Sequence, residues 1–347
     1  MKTRSTKSLI SLGLICASMA IAAALIFGFM GRLHPAFDSF SHFRVHLGVL
    51  LALVAVLLFA FRFRWEGAAA LAFAIAALST VANFISIPGL QVHAANPADT
   101  AQPVYKLLHL NLRFDNPEPG KVLSLIGRTK PDVITLNEVS SMWQDRLEIL
   151  KASYPYGIVC PRPNKVFGVA ILSRRPMVEG QEAACHDRGA LAIAPVDFGG
   201  RPVTITALHL GWPWPFEQSR QIGLIEERLS TIEGDAILAG DFNAAPWSAS
   251  VRRVAAATDM AITPSIGPTW LHHSLPTALR FMGLPIDQVL HKGGVNIRSA
   301  HTSDEAGSDH LPILVEFSLP APPPPPSEEK TTVLADHAEA ERLSLAN

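Results

Sequence analysis

Hydrophobic residues are distributed unevenly along this chain, and the long stretches that are both uncharged and strongly hydrophobic lie within its first 90 residues. Three stretches, at about 8–30, 45–61 and 67–90, contain no Asp, Glu, Lys or Arg and are long enough to cross a bilayer as helices. They explain a composition that is 48% hydrophobic and 17% charged over 347 residues, which is too apolar for an ordinary soluble protein. The pattern predicts a membrane region over 1–90 with three transmembrane helices.

Basic residues flank these stretches on one side. Lys2, Arg4 and Lys7 precede the first stretch, and Arg62 and Arg64 lie in the short connection between the second and the third. Lys and Arg concentrate in cytoplasmic loops, so the rest of the chain is expected outside the cytoplasm. A cleaved N-terminal signal peptide is the alternative. The orientation is the same in both cases, because the two remaining helices return the chain to the outside.

Polar and proline-rich segments delimit one domain after the membrane region. Residues 91–103 predict a linker and 320–347 a proline-rich disordered tail. Between them, over 104–319, apolar runs predict strands at 104–111, 132–138, 166–173, 190–196, 202–210, 235–241, 285–290 and 311–318. Helical periodicity predicts helices at 118–129, 140–152, 217–231 and 247–257. The excess of strands, in mixed order, favours packed sheets with helices outside them.

Charge and cysteine content narrow the range of partners. Residues 104–319 contain 20 Lys and Arg against 22 Asp and Glu, whereas a groove that binds duplex DNA normally has a basic excess. Nucleic acid is therefore not the favoured partner. Cys160 and Cys185 form either a disulfide, if the domain lies in an oxidising compartment, or two buried thiols.

Polar side chains able to bind a metal or a phosphate follow or lie within six of the predicted elements. In "GDFNAAPWS", Asp241 and Asn243 share one face of the chain where an apolar strand ends. Taken alone, this pair is typical of a turn. The other elements carry Asn111 in "LNLR", Glu138 in "LNEV", His209 in "ALHL", Asp287 in "PIDQVL", and Asp309 and His310 in "GSDHLPI".

This ordered set over about 104–318 resembles the endonuclease/exonuclease/phosphatase superfamily of metal-dependent phosphoesterases, which includes DNase I. The layout is similar to that of its membrane-anchored bacterial YafD-like members. The resemblance implies an α/β fold, a four-layer α/β/β/α sandwich, and a multi-pass protein of the bacterial inner membrane with a periplasmic catalytic domain. One departure is the "NE" at Asn137, where the family usually has "QE".

The resemblance also implies roles for the eight candidate residues. Mg²⁺, with Mn²⁺ as the alternative, takes oxygen ligands and few protein carboxylates, so Glu138 is the expected ligand, with Asn111 beside it and Asp309 as a further carboxylate. His310, oriented by Asp287, is expected to take a proton from the attacking water. The remaining three complete the site: Asp241 orients that water and is the alternative to the His310–Asp287 pair as its base, Asn243 donates to phosphoryl oxygens, and His209 donates to the phosphate.

Two other features are interpreted from the residues alone. His109 lies on the first predicted strand beside apolar residues and is interpreted as a structural histidine. Trp212, Trp214 and Phe216 form a proline-containing aromatic loop directly after His209. This loop could stack on a base, enter the lipid interface or cover the core, and membrane attachment favours the lipid interface.

These observations predict a membrane-anchored phosphoesterase that hydrolyses a phosphodiester or phosphomonoester with an activated water. A phospholipid headgroup or a small phosphoester is the preferred substrate. An extracytoplasmic nuclease is the main alternative, and a catalytically silent binding module on a membrane anchor is the third.

Overall fold

The computed structural model describes residues 2–85, 102–161, 168–264 and 266–320. Four helices precede the sheet domain, namely α1 (Lys2–Phe29), α2 (Pro35–Ser41), α3 (Arg44–Ala60) and α4 (Arg64–Ser79). The three long helices pack together around Leu25, Leu51, Ala74 and Ala77. Their outer faces remain apolar and exposed, so these faces need lipid or another apolar surface.

The prediction of three membrane-spanning helices is wrong in number. Among the described residues, one helix, Leu9–Phe29, is long and apolar enough to span a membrane, and Pro35–Ser41 with Arg44–Ala60, bent by 62°, would be a second if the pair is one span. α3 and α4 have 17 and 16 residues, or about 25 Å at the rise of a helix, which is less than the ~30 Å hydrocarbon core.

The third hydrophobic stretch is short because its end packs on the sheet domain. α4 ends at Ser79, and Val81, Phe84 and Ile85 after it pack against Trp247 of that domain. Residues 86–90 of this stretch lie outside the described residues, as do most of the predicted linker and all but the first residue of the predicted tail.

Two six-stranded mixed sheets form the remaining domain. The strands of the first, in spatial order, are β11 (Asn296–Thr302), β12 (Ile313–Ser318), β1 (Val104–Asn111), β2 (Val133–Asn137), β4 (Val169–Ser173) and β3 (Tyr156–Cys160). Those of the second are β5 (Ala184–His186), β6 (Leu191–Asp197), β7 (Pro202–His209), β8 (Ala236–Asp241), β10 (Asp287–Lys292) and β9 (Ala261–Ile262). The β1–β2 and β7–β8 pairs are parallel and the other pairs antiparallel.

The helices lie on the outer faces of the two sheets. A central core joins the inner faces of both sheets. A second core lies between the first sheet and helices α5 (Pro119–Thr129) and α6 (Ser141–Leu150). A third lies between the second sheet and helices α7 (Gln218–Ser230) and α8 (Ala249–Thr258). This α/β arrangement agrees with the predicted DNase I-like fold.

All eight predicted strands and four predicted helices of this domain occur, with boundaries that differ by a few residues. Four further strands, β3, β5, β9 and β11, were not predicted. β5 and β9 have only three and two residues, and β11 carries polar residues without a buried face. Such strands lack the alternation of apolar and polar residues on which the prediction depends.

Cys160 and Cys185 form a disulfide, with Cα atoms 5.6 Å apart. Cys160 ends β3 in the first sheet and Cys185 lies in β5 of the second. The sequence left open a disulfide or two buried thiols, and the structure has the disulfide. It links the two sheets covalently at the same edge of the sandwich.

The helical region and the sheet domain contact each other through α2. Both carboxylate oxygens of the buried Asp38 accept hydrogen bonds at the start of α8, from the amide nitrogens of Ala249 at 2.7 Å and Ser250 at 2.9 Å and from the Ser250 hydroxyl. Close by, the indole nitrogen of Trp247 donates to the carbonyl of Ser41 at 2.6 Å. The helical region is thus part of the folded unit that contains the sheets.

Candidate functional site

The candidate residues converge because the central strands of the two sheets end at the same place. Asp241, the last residue of β8, lies opposite His209 at the end of β7 and opposite Asp287 at the start of β10. In the first sheet, Asn111 at the end of β1 lies opposite Asn137 at the end of β2. Residues more than a hundred positions apart are therefore brought to one edge of the sandwich.

Asp241 is the centre of the hydrogen-bond network. Its Oδ2 accepts from Asn111 Nδ2 at 2.9 Å, and its Oδ1 accepts from the backbone nitrogen of Asn243 at 2.7 Å. The Nε2 atoms of His209 and His310 lie 3.7 Å and 3.8 Å from the same Oδ2. Burial is the main cause that raises the pKa of Asp241, to about 7; Asp287 adds to this, and His310 opposes it.

His310 and Asp287 form a buried pair. His310 Nδ1 lies 2.8 Å from Asp287 Oδ2. Burial opposes protonation of His310, but the carboxylates of Asp287 and Asp241 outweigh it and raise the pKa of His310 to about 10. Burial likewise disfavours the charged form of Asp287, but its contacts with His310 and His109 hold its pKa below the ordinary value. The pair therefore favours imidazolium and carboxylate.

Asn243 forms both the turn and part of the site. Its backbone lies in the left-handed region, with φ of 47°, and the Asp241 side chain accepts from its amide nitrogen as in an Asx turn. Its Nδ2 donates to the Leu210 carbonyl at 2.8 Å. One of the two amide hydrogens is therefore already used, and a second remains for a phosphoryl oxygen.

Glu138 and Asp309 lie at the open side of the network, where both are half-buried. Glu138 Oε1 accepts from Asn111 Nδ2 at 3.1 Å and its Oε2 from the backbone nitrogen of Phe114 at 2.9 Å. Asp309 Oδ2 accepts from the indole of Trp270 at 3.1 Å. Burial is the largest cause that raises the pKa of Glu138, and the Asp309 carboxylate also raises it.

Two donor sets in this site could hold a metal ion. Ligand atoms of Asp241, Asp287 and His310 all lie within 4.8 Å of one another, but this buried set includes an imidazole, which Mg²⁺ disfavours. Glu138 and Asp309 offer only oxygens and face the opening, where a hydrated ion could keep its waters. The half-buried carboxylates therefore fit Mg²⁺ better.

Asn111 lies between the two sets. Its Nδ2 bridges Glu138 and Asp241, while its Oδ1 accepts from the Arg113 backbone nitrogen at 3.0 Å. As a ligand, Asn111 would use the second lone pair of this oxygen.

Two residues of the site were not predicted. His109 Nε2 lies 3.3 Å from Asp287 Oδ1, and its Nδ1 lies 3.1 Å from Thr135 Oγ1, so this histidine supports Asp287 instead of serving the core. Ser308 donates to the Asn111 carbonyl and accepts from the amide of His310. The sequence carried a signal for His109, because it lies two residues before Asn111 and therefore on the same face of β1.

The departure from the family pattern has a structural explanation. The side chain of Asn137 is fully buried, and its Nδ2 donates to the Leu208 carbonyl of β7 at 2.7 Å. It thus bridges the two sheets beside the site, and the neighbouring Glu138 keeps its place.

The aromatic loop lies between the site and the helical region. Trp212, Trp214 and Phe216 are 52%, 52% and 66% exposed, so they do not cover the core. The Trp212 ring lies 5.8 Å from that of Trp270, the partner of Asp309. The Trp214 carbonyl accepts from the Ser39 hydroxyl of α2 at 3.2 Å.

Comparison with known proteins agrees with this architecture. A sequence profile of the Endonuclease/Exonuclease/phosphatase family matches residues 108–310. A UPF0294 protein from Vibrio vulnificus strain YJ016 is 32% identical over 124 residues, which cover 35% of this chain and 41% of the relative. The matched segment thus spans about two fifths of that relative.

Two solved structures share the fold. An endonuclease/exonuclease/phosphatase from Bacteroides vulgatus has a TM-score of 0.51 and 20% identity, covering 63% of this chain and all of that one. TDP2 from D. rerio, complexed with a single strand DNA product, has a TM-score of 0.50 and 17% identity, covering 62% of this chain and 99% of that one. At these identities the similarity concerns the fold.

Proposed function

Because the chain belongs to the Endonuclease/Exonuclease/phosphatase family, whose members are generally metal-dependent hydrolases of phosphoesters, we propose that it is a membrane-anchored Mg²⁺-dependent phosphoesterase. Its preferred substrate is a phospholipid headgroup or another small phosphoester. The observation that carries the proposal is the buried arrangement around the His310 imidazole, which lies 2.8 Å from the Asp287 carboxylate and 3.8 Å from that of Asp241. The carboxylates of Glu138 and Asp309 lie at the opening of the same site.

The charges in the site favour the alternative in which Asp241, and not His310, is the base. Burial opposes protonation, but the carboxylates of Asp287 and Asp241 raise the pKa of His310 to about 10, which favours the imidazolium and makes His310 a poor acceptor for the proton of a water. Asp241, with a pKa of about 7, is placed to orient the attacking water and to take its proton. His310 then stays cationic against the phosphoryl group, and Asp287 fixes its ring.

The remaining residues bind and orient the phosphoester. Glu138 with Asn111 and Asp309 would hold Mg²⁺, which when bound supplies positive charge against the phosphoryl oxygens. The free amide hydrogen of Asn243 and the His209 imidazole would donate to the phosphoryl group. As water attacks phosphorus, the bond to the leaving oxygen breaks and its electron pair stays on that oxygen, which takes a proton from solvent. The proton from the attacking water passes to Asp241.

Three observations support a lipid substrate over nucleic acid. The sheet domain has no basic excess, with 20 Lys and Arg against 22 Asp and Glu over 104–319, whereas DNA binding depends largely on neutralising phosphates. The exposed aromatic loop, whose tryptophans suit a membrane interface, joins the site to α2 through the Ser39–Trp214 contact. The α1 helix exposes apolar side chains such as Leu9 and Met19, each 67% exposed.

The proposed location is a bacterial inner membrane with the catalytic domain on the periplasmic side. The orientation of the protein in the membrane depends on α1 alone. The α3–α4 pair does not change it, because α3 begins and α4 ends beside the sheet domain. Lys2, Arg4 and Lys7 at the start of α1 support a cytoplasmic N-terminus. The Cys160–Cys185 disulfide is typical of an oxidising compartment. An alkaline phosphatase reporter fused after Pro320 should be active in cells, and an inactive but expressed fusion would contradict this orientation.

The activity is tested on the full chain in mild detergent, because α2 is part of the folded unit. Purified protein with Mg²⁺ is assayed against bis-p-nitrophenyl phosphate, labelled phospholipid in vesicles and plasmid DNA, beside H310A. We expect phosphoester hydrolysis that requires the metal and falls by roughly 10²- to 10⁴-fold in H310A. No metal-dependent turnover of any substrate would overturn the enzyme and favour a binding module, whereas turnover of DNA alone would favour the nuclease.

A further inference from the structure

A pocket lined by residues outside the candidate active site lies where the helical region contacts the sheet domain. This junction pocket, with a volume of about 370 Å³, is bounded on one side by the connection after α1 and on the other by α7 and α8. Its charged lining residues are Arg32, Asp38, Arg252 and Arg253, and His34, Ser219 and Ser250 are the polar ones. None of these residues belongs to the network around Asp241.

The junction pocket is positively charged. Arg253 pairs with Glu226, but within the described ranges neither Arg32 nor Arg252 has an ion pair or a hydrogen bond to a carboxylate. The two guanidinium groups are close enough to repel each other: burial is the largest cause that lowers the pKa of Arg252, Arg32 lowers it further, and the single Asp38 carboxylate opposes both.

The carboxylate in the lining cannot neutralise both arginines. Asp38 Oδ1 accepts from the amide of Ala249 and the hydroxyl of Ser41, and its Oδ2 accepts from the amide and hydroxyl of Ser250. The four hydrogen bonds fix this side chain at the start of α8. The positive charges of Arg32 and Arg252 therefore line one pocket, and the hydrogen bonds of the Asp38 carboxylate there go to backbone amides and hydroxyl groups.

The position of the pocket along α1 indicates the source of the anion. Arg32 follows the end of α1 at Phe29 by three residues, and Leu33 beside it is 71% exposed. If Leu9–Phe29 crosses the bilayer, residues just after it lie at the level of the lipid phosphates. Guanidinium groups bind phosphate oxygens through two parallel hydrogen bonds and are weakly hydrated, so they suit this depth.

We propose that the junction pocket binds the phosphate of an anionic phospholipid from the leaflet on the side of the catalytic domain, held between Arg32 and Arg252. A zwitterionic headgroup would bring an ammonium group beside two guanidinium groups and is disfavoured. The bound lipid would link the end of α1 to α8 and so orient the catalytic domain on the bilayer. This site is separate from the catalytic one and does not depend on phosphoester hydrolysis.

The test is native mass spectrometry of the full chain in a neutral detergent. The probes are phosphatidylglycerol, phosphatidylcholine of the same acyl chains, and inorganic phosphate. The variants are R32Q, R252Q, the double variant, and R64Q as a matched control, since Arg64 is an exposed arginine at the opposite end of the helices. H310A separates this site from catalysis, and the thermal midpoint of each lipid-free variant checks that it folds.

We expect one tightly bound phosphatidylglycerol on the wild type, R64Q and H310A, and affinity about tenfold weaker for each arginine removed. Phosphatidylcholine should bind at least tenfold more weakly, and millimolar phosphate should not displace the lipid. Equal phosphatidylglycerol binding by the folded double variant would overturn the site. Equal binding of both lipids, or displacement by phosphate, would overturn its assignment to an anionic lipid. Should the double variant not fold, the folded single variants R32Q and R252Q decide, and phosphatidylglycerol binding equal to the wild type in both would equally contradict the proposal.

Discussion

At the scale of single residues, the candidate site depends on carboxylates held at fixed positions by backbone and side-chain donors. Glu138 lies in the left-handed region of backbone conformation, with φ of 57°, which is uncommon for a residue with a side chain. Such strain is retained where surrounding contacts hold it. Here the donors are Asn111 and the amide of Phe114, and they direct the carboxylate to the opening.

Glu138→Gln tests this residue as the metal ligand. The amide keeps the size of the side chain but removes its charge, so Mg²⁺ affinity should fall by at least about tenfold. Isothermal titration calorimetry and the Mg²⁺ dependence of hydrolysis measure the change.

The matched control for this prediction is Glu148→Gln on the exposed surface of α6, where the side chain pairs with Lys151. This variant should bind Mg²⁺ as the wild type does. If both variants bind Mg²⁺ with the wild-type affinity, Glu138 is not a ligand of the metal.

At the scale of elements, α8 depends on a residue from outside its own domain. Ser248 caps the helix through the amide of Val251, and Asp38 from α2 accepts the amide hydrogens of Ala249 and Ser250. Free amide groups at the start of a helix favour an acceptor with negative charge. Because α8 begins six residues after Asn243, α2 also holds one end of the loop that leaves the site.

Asp38→Asn should destabilise the full chain. Each carboxylate oxygen of Asp38 accepts two hydrogen bonds, one of them from a backbone amide. In either orientation of the substituted side chain, its NH₂ group, which is a donor, would face a backbone N–H that is also a donor. We expect a loss of about 2 kcal/mol, seen as a thermal midpoint lower by roughly 4 to 8 °C.

Asp145→Asn on the exposed face of α6 is the control, and it should change stability by less than about 0.5 kcal/mol. Equal midpoints for the two variants would show that the α2–α8 contact contributes nothing to stability.

At the scale of the whole molecule, the two sheets are joined by their shared core and by the Cys160–Cys185 disulfide. The disulfide closes a loop between residues 25 apart, which in the chain-entropy description stabilises the folded state by about 3 kcal/mol. It also reports on the compartment, because cytoplasmic thiols are kept reduced. The disulfide is therefore expected both to stabilise the folded domain and to form only in an oxidising compartment.

Replacing Cys160 and Cys185 together by Ala should lower the free energy of unfolding by about 3 kcal/mol, measured by thermal unfolding in detergent. A maleimide reagent is applied to wild-type protein that is taken directly from cells and denatured without reductant. It should label only Cys16, the free cysteine among the described residues. After reduction it should label three cysteines. Labelling of three without reduction would contradict both the disulfide and the periplasmic location.

Much of the fold could be predicted from the sequence because its signals are local. Strands such as β1 and β8 are largely apolar, and the polar residues at their ends, Asn111 and Asp241, lie where the apolar pattern stops. The short strands β5 and β9 and the polar β11 have no such pattern. The apolar stretches that became α3 and α4 predicted spanning helices, since composition does not show that Val81 and Phe84 pack on Trp247 instead.

The sequence by itself determined the family, the order of eight of the twelve described strands and of the four helices in the sheet domain, the apolar α1 and the eight candidate residues, because each depends on residues close together in the chain. Only the tertiary structure decided that His109 supports Asp287, that Asp38 caps a helix 211 residues away, and that the two cysteines are joined. It also decided the charges of Asp241 and His310. The physical reason is that burial, hydrogen bonding and pKa are set by neighbours in space, and these neighbours come from distant parts of the chain.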